Sequence, residues 1–335
     1  MTLRRTTQKD VALRAGVSQA AVSMVLGGGN ATSLPPETVQ RIQNAARELG
    51  YVPNSLAQAL KTRRTMTIAC VVPDITNPFY PALIRGVQRI AQVEGYDVIT
   101  LNTDGIAANE QHFLEWALRG RVDGVVGVFF TLRAADLKLL LDNSIAIVRI
   151  ESSRKAGGPL PIDDIFVDSR AASVVVVNHL IAHAHRRIAM VAGVGGPQRT
   201  RIDGYREALV TAGLEPLVVT EDSFTETAGL DAANTILDSG FNPTAIFAAN
   251  DLMAIGVMRA LRDRNLRVPE DVAVVGFDNI SAAPLVTPPL TTVTQFQDRM
   301  GERAAEILIQ RLRGERDGAG TALEMPFELI ERASS

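Results

Sequence analysis

The chain has 335 residues, 46% of them hydrophobic, a single cysteine and a formal net charge of -3. That is enough apolar material for more than one core. Charged and polar side chains (Arg4, Arg5, Gln8, Lys9, Asp10, Arg14) occupy the start, where an export leader would need an apolar stretch. No later run approaches membrane-spanning length, so a soluble protein of the cytoplasm is expected. Charge is unevenly divided: residues 1–65 carry nine Lys/Arg and three Asp/Glu, a balance of +6, and the remainder carries -9. A basic head on an acidic body suits a head that touches phosphate and a body that does not.

The first predicted elements are helices. Val11, Ala12 and Ala15 give one short apolar pattern, the turn Gly16-Val17-Ser18 follows, and Ala21, Val22, Val25 and Leu26 give a second. The Ser18 hydroxyl can cap the second helix, and Gly16 permits the sharp turn. A third helix is predicted from near Pro36 to about Leu49, with Val39, Ile42, Ala46 and Leu49 on one face. On physics alone these three helices fit a DNA-reading head and a generic small helical domain equally well.

From Thr67 the pattern changes to short apolar runs alternating with amphipathic stretches. Candidate strands are Thr67 to Val72, Asp97 to Asn102, Gly124 to Phe129, Ile145 to Ile150, Arg187 to Ala192, Ala245 to Ala248 and Val272 to Phe277. Candidate helices are Pro81 to Glu94, Glu110 to Arg119, Ser169 to Ala182, Gly204 to Thr211, Thr227 to Ser239 and Asp251 to Asn265. The alternation predicts an α/β body of two doubly wound parallel sheets, hence two lobes. A Gly/Pro/Asp-rich break at Lys155 to Asp164 is the expected crossing between them. Ligands bind open α/β sheets at the carboxyl ends of strands, which makes the cleft between the lobes the default pocket.

Other chemistry is excluded residue by residue. Cys70 sits in an apolar run that reads as a buried strand, so it is expected to pack rather than react. Gly193 to Gly196 (GVGG) follows a strand but lacks the Walker lysine and the dinucleotide spacing. His179, His183 and His185 lack a cysteine or firm fourth ligand for a metal. Asp163 and Asp164 have no nameable catalytic partner. No enzyme activity, metal or cofactor is therefore expected, and an exported sugar-binding protein would need a leader in place of the basic head.

The stretches DVALRAGVSQAAVSMVL, PETVQRIQNAARELGYVPNSLAQAL, TIACVVPDITNPFYPALIRGV, FAANDLMAIGVMRAL, VPEDVAVVGFDNI and PPLTTVTQ together resemble the LacI (lactose and galactose repressor) family of bacterial transcription regulators. The resemblance implies a helix-turn-helix head over residues 1–52, a hinge over 53–65 and an effector-binding and dimerisation body over 66–335. In the body, a periplasmic-binding-protein-like fold is implied, with one lobe at about 66–164 and 296–323 and the other at about 165–293 and 327–335. It further implies that Gln19, Ala20 and Met24 face base edges, where Gln pairs with adenine and Ala and Met offer apolar contact. Met24 stands where the family commonly has a base-reading Arg, and Gln8 replaces a usual apolar residue, so a different half-site sequence is expected. Thr7, Ser18 and Ser23 are placed for phosphate contacts, with Arg4 and Arg5 adding salt-dependent affinity.

By the same resemblance Asn54 caps a hinge helix, Ala57 packs on the partner's hinge and Leu60 wedges into a minor-groove step. The implied effector contacts are Asn77, Phe79, Tyr80, Glu151, Arg201, Asn250, Asp278 and Gln295, a set suited to a sugar or polyol. Glu151 and Ser152 stand where the family usually has Asp and Arg, which leaves the effector's identity open. Phe224 is a further candidate for the cleft. The expected partners are double-stranded DNA with a pseudo-palindromic operator, a small sugar-like effector, and a second copy in a homodimer. The chain ends soon after ELIER, without a leucine-heptad tail, so a dimer rather than a tetramer is expected.

Overall fold

Thr7 starts the first helix, α1 (Gln8–Ala15), through a capping box: its hydroxyl accepts from the Asp10 amide while the Asp10 carboxylate accepts from the Thr7 amide at 2.8 Å. Gly16 ends it in the left-handed conformation, φ +66°, a backbone that costs glycine nothing. The Ser18 hydroxyl then accepts from the Ala21 amide at 3.2 Å and caps α2 (Gln19–Leu26). Pro36 opens α3 (Pro36–Glu48) in its first turn. These helices pack Val11, Val22 and Ile42 into a small core of their own, as the sequence predicts. The computed structural model describes residues 6–26, 34–53, 59–60, 62–155 and 158–335. The chain divides into two compact units, Met1–Thr65 and Met66–Ser335.

The second unit alternates strand and helix. In chain order it runs β1 (Thr67–Val72), α4 (Phe79–Val93), β2 (Asp97–Asn102), α5 (Ala107–Ala117), β3 (Gly124–Gly127), α6 (Ala134–Asp142), β4 (Ala146–Glu151) and β5 (Ile162–Phe166). It continues through α7 (Ser169–Ala182), β6 (Ile188–Gly193), α8 (Gln198–Thr211), β7 (Leu217–Glu221), α9 (Glu226–Asp238), β8 (Ala245–Ala248), α10 (Asp251–Asp263) and β9 (Ala273–Val275). The remaining elements are β10 (Thr292–Thr294), α11 (Gln297–Arg313), β11 (Ala322–Glu324) and β12 (Glu328–Ile330).

The first lobe is a six-stranded parallel sheet ordered β11-β5-β4-β3-β1-β2, and the second is a four-stranded parallel sheet ordered β7-β6-β8-β9. Single bridges from Val275 to Thr291 and from Asp278 to Thr294 attach the antiparallel pair β10–β12 beside β9. The central strands of each sheet are buried on both faces because helices cover both, which is why they read as continuous apolar runs. Cys70 is one of these buried positions, and burial pushes its thiol up to about 12, so it stays protonated and unreactive.

Close helix crossings recur in both lobes. A methyl group on Gly86 of α4 would meet the Asp298 carbonyl of α11, and one on Gly301 of α11 would meet the Leu83 carbonyl of α4. Gly229 of α9 and Gly256 of α10 are matched in the same reciprocal way against Met253 and Glu226. Two helices can approach this closely only where neither carries a side chain at the contact.

The chain leaves the first sheet later than the break at Lys155 to Asp164 suggests. Ile162 to Phe166 pair in register with β4 as a full strand, so the crossing falls at Val167 and Asp168. The misleading signal is Asp163-Asp164. Asp163 is completely buried yet held by Arg311 at 2.8 Å, Arg316 and the Thr321 amide, while Asp164 takes a bidentate pair from Arg149 at 2.7 and 2.9 Å. Paired carboxylates of this kind can sit inside a strand that their charge would otherwise exclude. Two further crossings lie between β10 and α11 and between β11 and β12, and Phe327 in the latter packs against the cores of both lobes.

Candidate functional site

On the head, the residues buried in α2 are Ala21 and Val22, which leaves the opposite face outward. Ser18, Gln19 and Ala20 are exposed, and Ser23 and Met24, one turn further on, are half-buried. Residues four apart on a helix share a face, so Gln19 and Ser23, and Ala20 and Met24, form one outward stripe. Thr7 is exposed and engaged as the cap of α1. Leu60 is 85% exposed. Arg4, Arg5, Asn54 and Ala57 lie outside the described residues.

In the body, the sequence-predicted residues arrive at the carboxyl ends of strands. Asn77 follows β1 as a buried turn residue whose side chain accepts from the Phe79 amide at 3.1 Å, opening α4. Phe79 and Tyr80 sit edge to face, with ring centroids 5.1 Å apart. From the second lobe, Arg201 of α8 and Asp278 after β9 are both 4% exposed and meet at 3.4 Å. Arg201 also donates to the Ala249 carbonyl, and its guanidinium lies 3.8 Å from the centroid of the Phe277 ring. Gln295, at the crossing after β10, donates to Asp278 at 2.6 Å. Asp278 has φ +113°, a backbone region that ordinary residues avoid, and Gln297 holds its carbonyl in place.

Electrostatics tie the two lobes together. Burial raises the Tyr80 hydroxyl, Asp278 raises it further, and Arg201 opposes them, so all three groups share one site. Burial also raises Asp278, to about 6, against the pull of Arg201 and Gln295. Arg201 Nε is buried without a hydrogen-bond partner among the described residues. An unmet buried donor costs about 1–3 kcal/mol, and a ligand oxygen there would recover it.

Two predicted residues are engaged otherwise. The Asn250 side chain accepts from the Met253 amide at 2.9 Å as the cap of α10 and donates to the Phe224 carbonyl at 3.0 Å. Glu151, at the end of β4, pairs with Lys155 at 3.2 Å and lies 3.7 Å from Arg149. Burial raises its carboxyl, with the two cations opposing. The neighbouring Ser152 accepts from the Thr200 hydroxyl of the second lobe at 3.3 Å, a contact that spans the cleft. The His179 and His183 rings lie tilted against each other, with centroids 4.4 Å apart, at the end of α7, and no metal-binding cluster occurs among the described residues.

Comparison with known proteins decides the family. Residues 7–54 match the family described as bacterial regulatory proteins, lacI family, and residues 177–335 match the periplasmic binding protein-like domain. The ribose operon repressor of Escherichia coli (strain K12) is 36% identical over 312 residues, spanning 91% of this chain and 93% of that protein. The chain belongs to the LacI family. Among solved structures, the transcriptional regulator CelR in complex with cellobiose is 31% identical with a TM-score of 0.73, covering 99% of this chain and 100% of its own. The lac repressor dimer bound to operator and the anti-inducer ONPF is 26% identical with a TM-score of 0.86, covering 99% of both chains. The protein is a DNA-binding transcriptional repressor of the LacI type rather than an enzyme. Among the described residues no helix is long and apolar enough to cross a membrane.

For a LacI-family cleft, sequence reasoning missed residues that support the named ones. Phe277 lies under Arg201, and Asp251 accepts from Thr292 at 2.5 Å and from the Ile280 amide at 2.8 Å just behind Asp278. Burial drives the Asp251 carboxyl up to about 8, with Asp278 adding to the rise. The signal for both was adjacency: each stands next to a residue the family motifs single out.

Proposed function

We propose that this repressor acts in the cytoplasm as a homodimer on a pseudo-palindromic operator, and that a small sugar or polyol bound between its lobes switches its operator affinity. The observation that carries the effector reading is the buried Arg201–Asp278–Gln295 cluster with its unmet Arg201 Nε, set beside the rings of Phe79 and Tyr80. A carboxylate accepts two neighbouring hydroxyls, Arg and Gln donate, and aromatic faces cover the C–H side of a sugar ring. Relatives support the class: one is named a ribose operon repressor, and an Enterococcus faecium regulator of this family, 26% identical, has been solved with bound ribose.

The residues proposed to contact the effector are Asn77, Phe79, Tyr80, Glu151, Arg201, Asn250, Asp278 and Gln295. Asn250 and Glu151 do so only by sharing bonds they already make. On the head, Gln19, Ala20 and Met24 are assigned to base edges, Thr7, Ser18 and Ser23 to phosphates, and Asn54, Ala57 and Leu60 to a hinge within residues 53–65. A hinge this short gains little helix stability from its own length, so pairing of two copies on DNA would stabilise it. Lobe closure around the effector then biases hinge pairing, and effector and operator affinities are coupled reciprocally.

The test is to retain genomic fragments on the intact protein at near-physiological salt and sequence them. A palindromic motif whose retention changes on adding sugars is the expected result. Retention without any shared motif, at every sugar tried, overturns the reading.

A further inference from the structure

Phe130 is a residue no sequence motif marks, and it occupies a particular place in the cleft. It follows β3 in the first lobe, and its half-buried ring lies against Gly105, after β2, and against Gly195 and Gly196, after β6 in the second lobe. A methyl group built on Gly105 would stand 2.7 Å from the ring, and one on Gly195 would stand 3.1 Å from it. The three glycines therefore make a flat seat that side chains would fill. β2 is the edge strand opposite β5 and β11, from which two of the crossings depart. The ring thus closes the end of the cleft far from the crossings, while Arg201, Asp278 and Gln295 lie at the crossing end.

The ring is held by a buried carboxylate. Glu110 of α5, fully buried, accepts from the amides of Phe130 at 2.7 Å, Thr131 at 3.0 Å and Leu132 at 2.9 Å, and from the Thr131 hydroxyl at 2.5 Å. Moving this loop strips a buried carboxylate of its donors, which is costly, so the loop keeps its position.

We propose that Phe130 is a specificity-determining residue that limits the effector to a single-ring sugar or polyol, with Glu110 as its positioning residue. The inference rests on the sugar reading above and adds the effector's size. A ring that spans both lobes at the end far from the crossings excludes a second sugar unit by steric clash, which is discrimination against the wrong ligand rather than attraction to the right one. Closure over a single ring leaves the Phe130 contact with Gly195 and Gly196 intact, whereas a longer ligand must break it.

Calorimetric titration of the intact protein and of Phe130→Ala with D-ribose, D-glucose, D-galactose, cellobiose and maltose tests this. The expected result is that the unmodified protein binds a monosaccharide and rejects both disaccharides, and that Phe130→Ala shifts the disaccharide-to-monosaccharide affinity ratio by about tenfold or more. Glu110→Gln shifts the ratio the same way, and adding it to Phe130→Ala changes the ratio no further, whatever it does to thermal stability. A disaccharide bound by the unmodified protein as tightly as any monosaccharide overturns the proposal while leaving the sugar reading intact, as does a ratio unchanged in Phe130→Ala. Binding of none of the five sugars to either protein overturns the sugar reading and this inference with it.

Discussion

The second-lobe wall of the cleft is polar and largely bonded to itself, with Arg201, Asp278 and Gln295 fixed by one another and by the Phe277 ring. The first-lobe wall is aromatic, and its rings Phe79, Tyr80 and Phe130 stand on a helix start and a loop. A polar wall that is already organised loses little entropy on binding and fixes the ligand's orientation. An aromatic wall supplies area and shape, and its contribution grows as the lobes close. The difference leads to the proposal that one lobe chiefly sets affinity and the other size selection.

Arg201→Ala breaks this comparison most directly. It removes the central donor and leaves Asp278 buried without its cation, and truncating one member of such a pair costs about 2–5 kcal/mol. Calorimetry should then show effector affinity falling by about thirtyfold or more, with operator binding retained but no longer switched.

The second effect is on pH. Asp251, held at about 8 by burial with Asp278 adding to it, keeps a proton in the fold that the unfolded chain releases far lower. Native protein thus binds the extra proton, and stability falls as pH rises through the native value. Burial lowers His179 and His185, which gives the opposite slope, but only at and below their ordinary value of 6.5. Thermal melts between about pH 6.5 and pH 8 should therefore show the melting temperature falling, and Asp251→Asn should flatten that fall. A melting temperature that rises over this range contradicts the assignment of a protonated Asp251.

On the aromatic wall the changes are smaller. Phe79→Leu keeps apolar area but loses a flat face, and effector affinity should drop by about 0.5–1.5 kcal/mol with orientation and sugar preference unchanged. Smallest in this series is Ser18→Ala on the head, which removes the cap of α2 and should cost about 1 kcal/mol of head stability without touching effector affinity. An effect on the effector from Ser18→Ala would show that the head and cleft are not separable in the unbound protein.

Much of this was legible in the sequence because it rests on local rules. The Gly16 and Ser18 signals end α1 and start α2, and apolar runs buried on both faces mark the central strands of each lobe. Strand β5 was not legible, because Asp163 and Asp164 are charged and only distant arginines, Arg311 and Arg149, make them compatible with burial. The short strands β10, β11 and β12 have three residues each and no periodicity to read. In the cleft, motif resemblance placed Arg201, Asp278 and Gln295 together. Phe130 and Glu110 were hidden because their significance lies in contacts between residues far apart in the chain, a loop on one lobe meeting glycines on the other.

The proposed coupling of a sugar-sized cleft to an operator-reading head has a thermodynamic signature. The most direct measurement is effector affinity of the intact protein, by calorimetry, in the absence and presence of saturating operator recovered from the fragment selection. Operator is expected to change effector affinity, and effector to change operator affinity by the same factor, as linkage requires. Equal effector affinity with and without operator would contradict it.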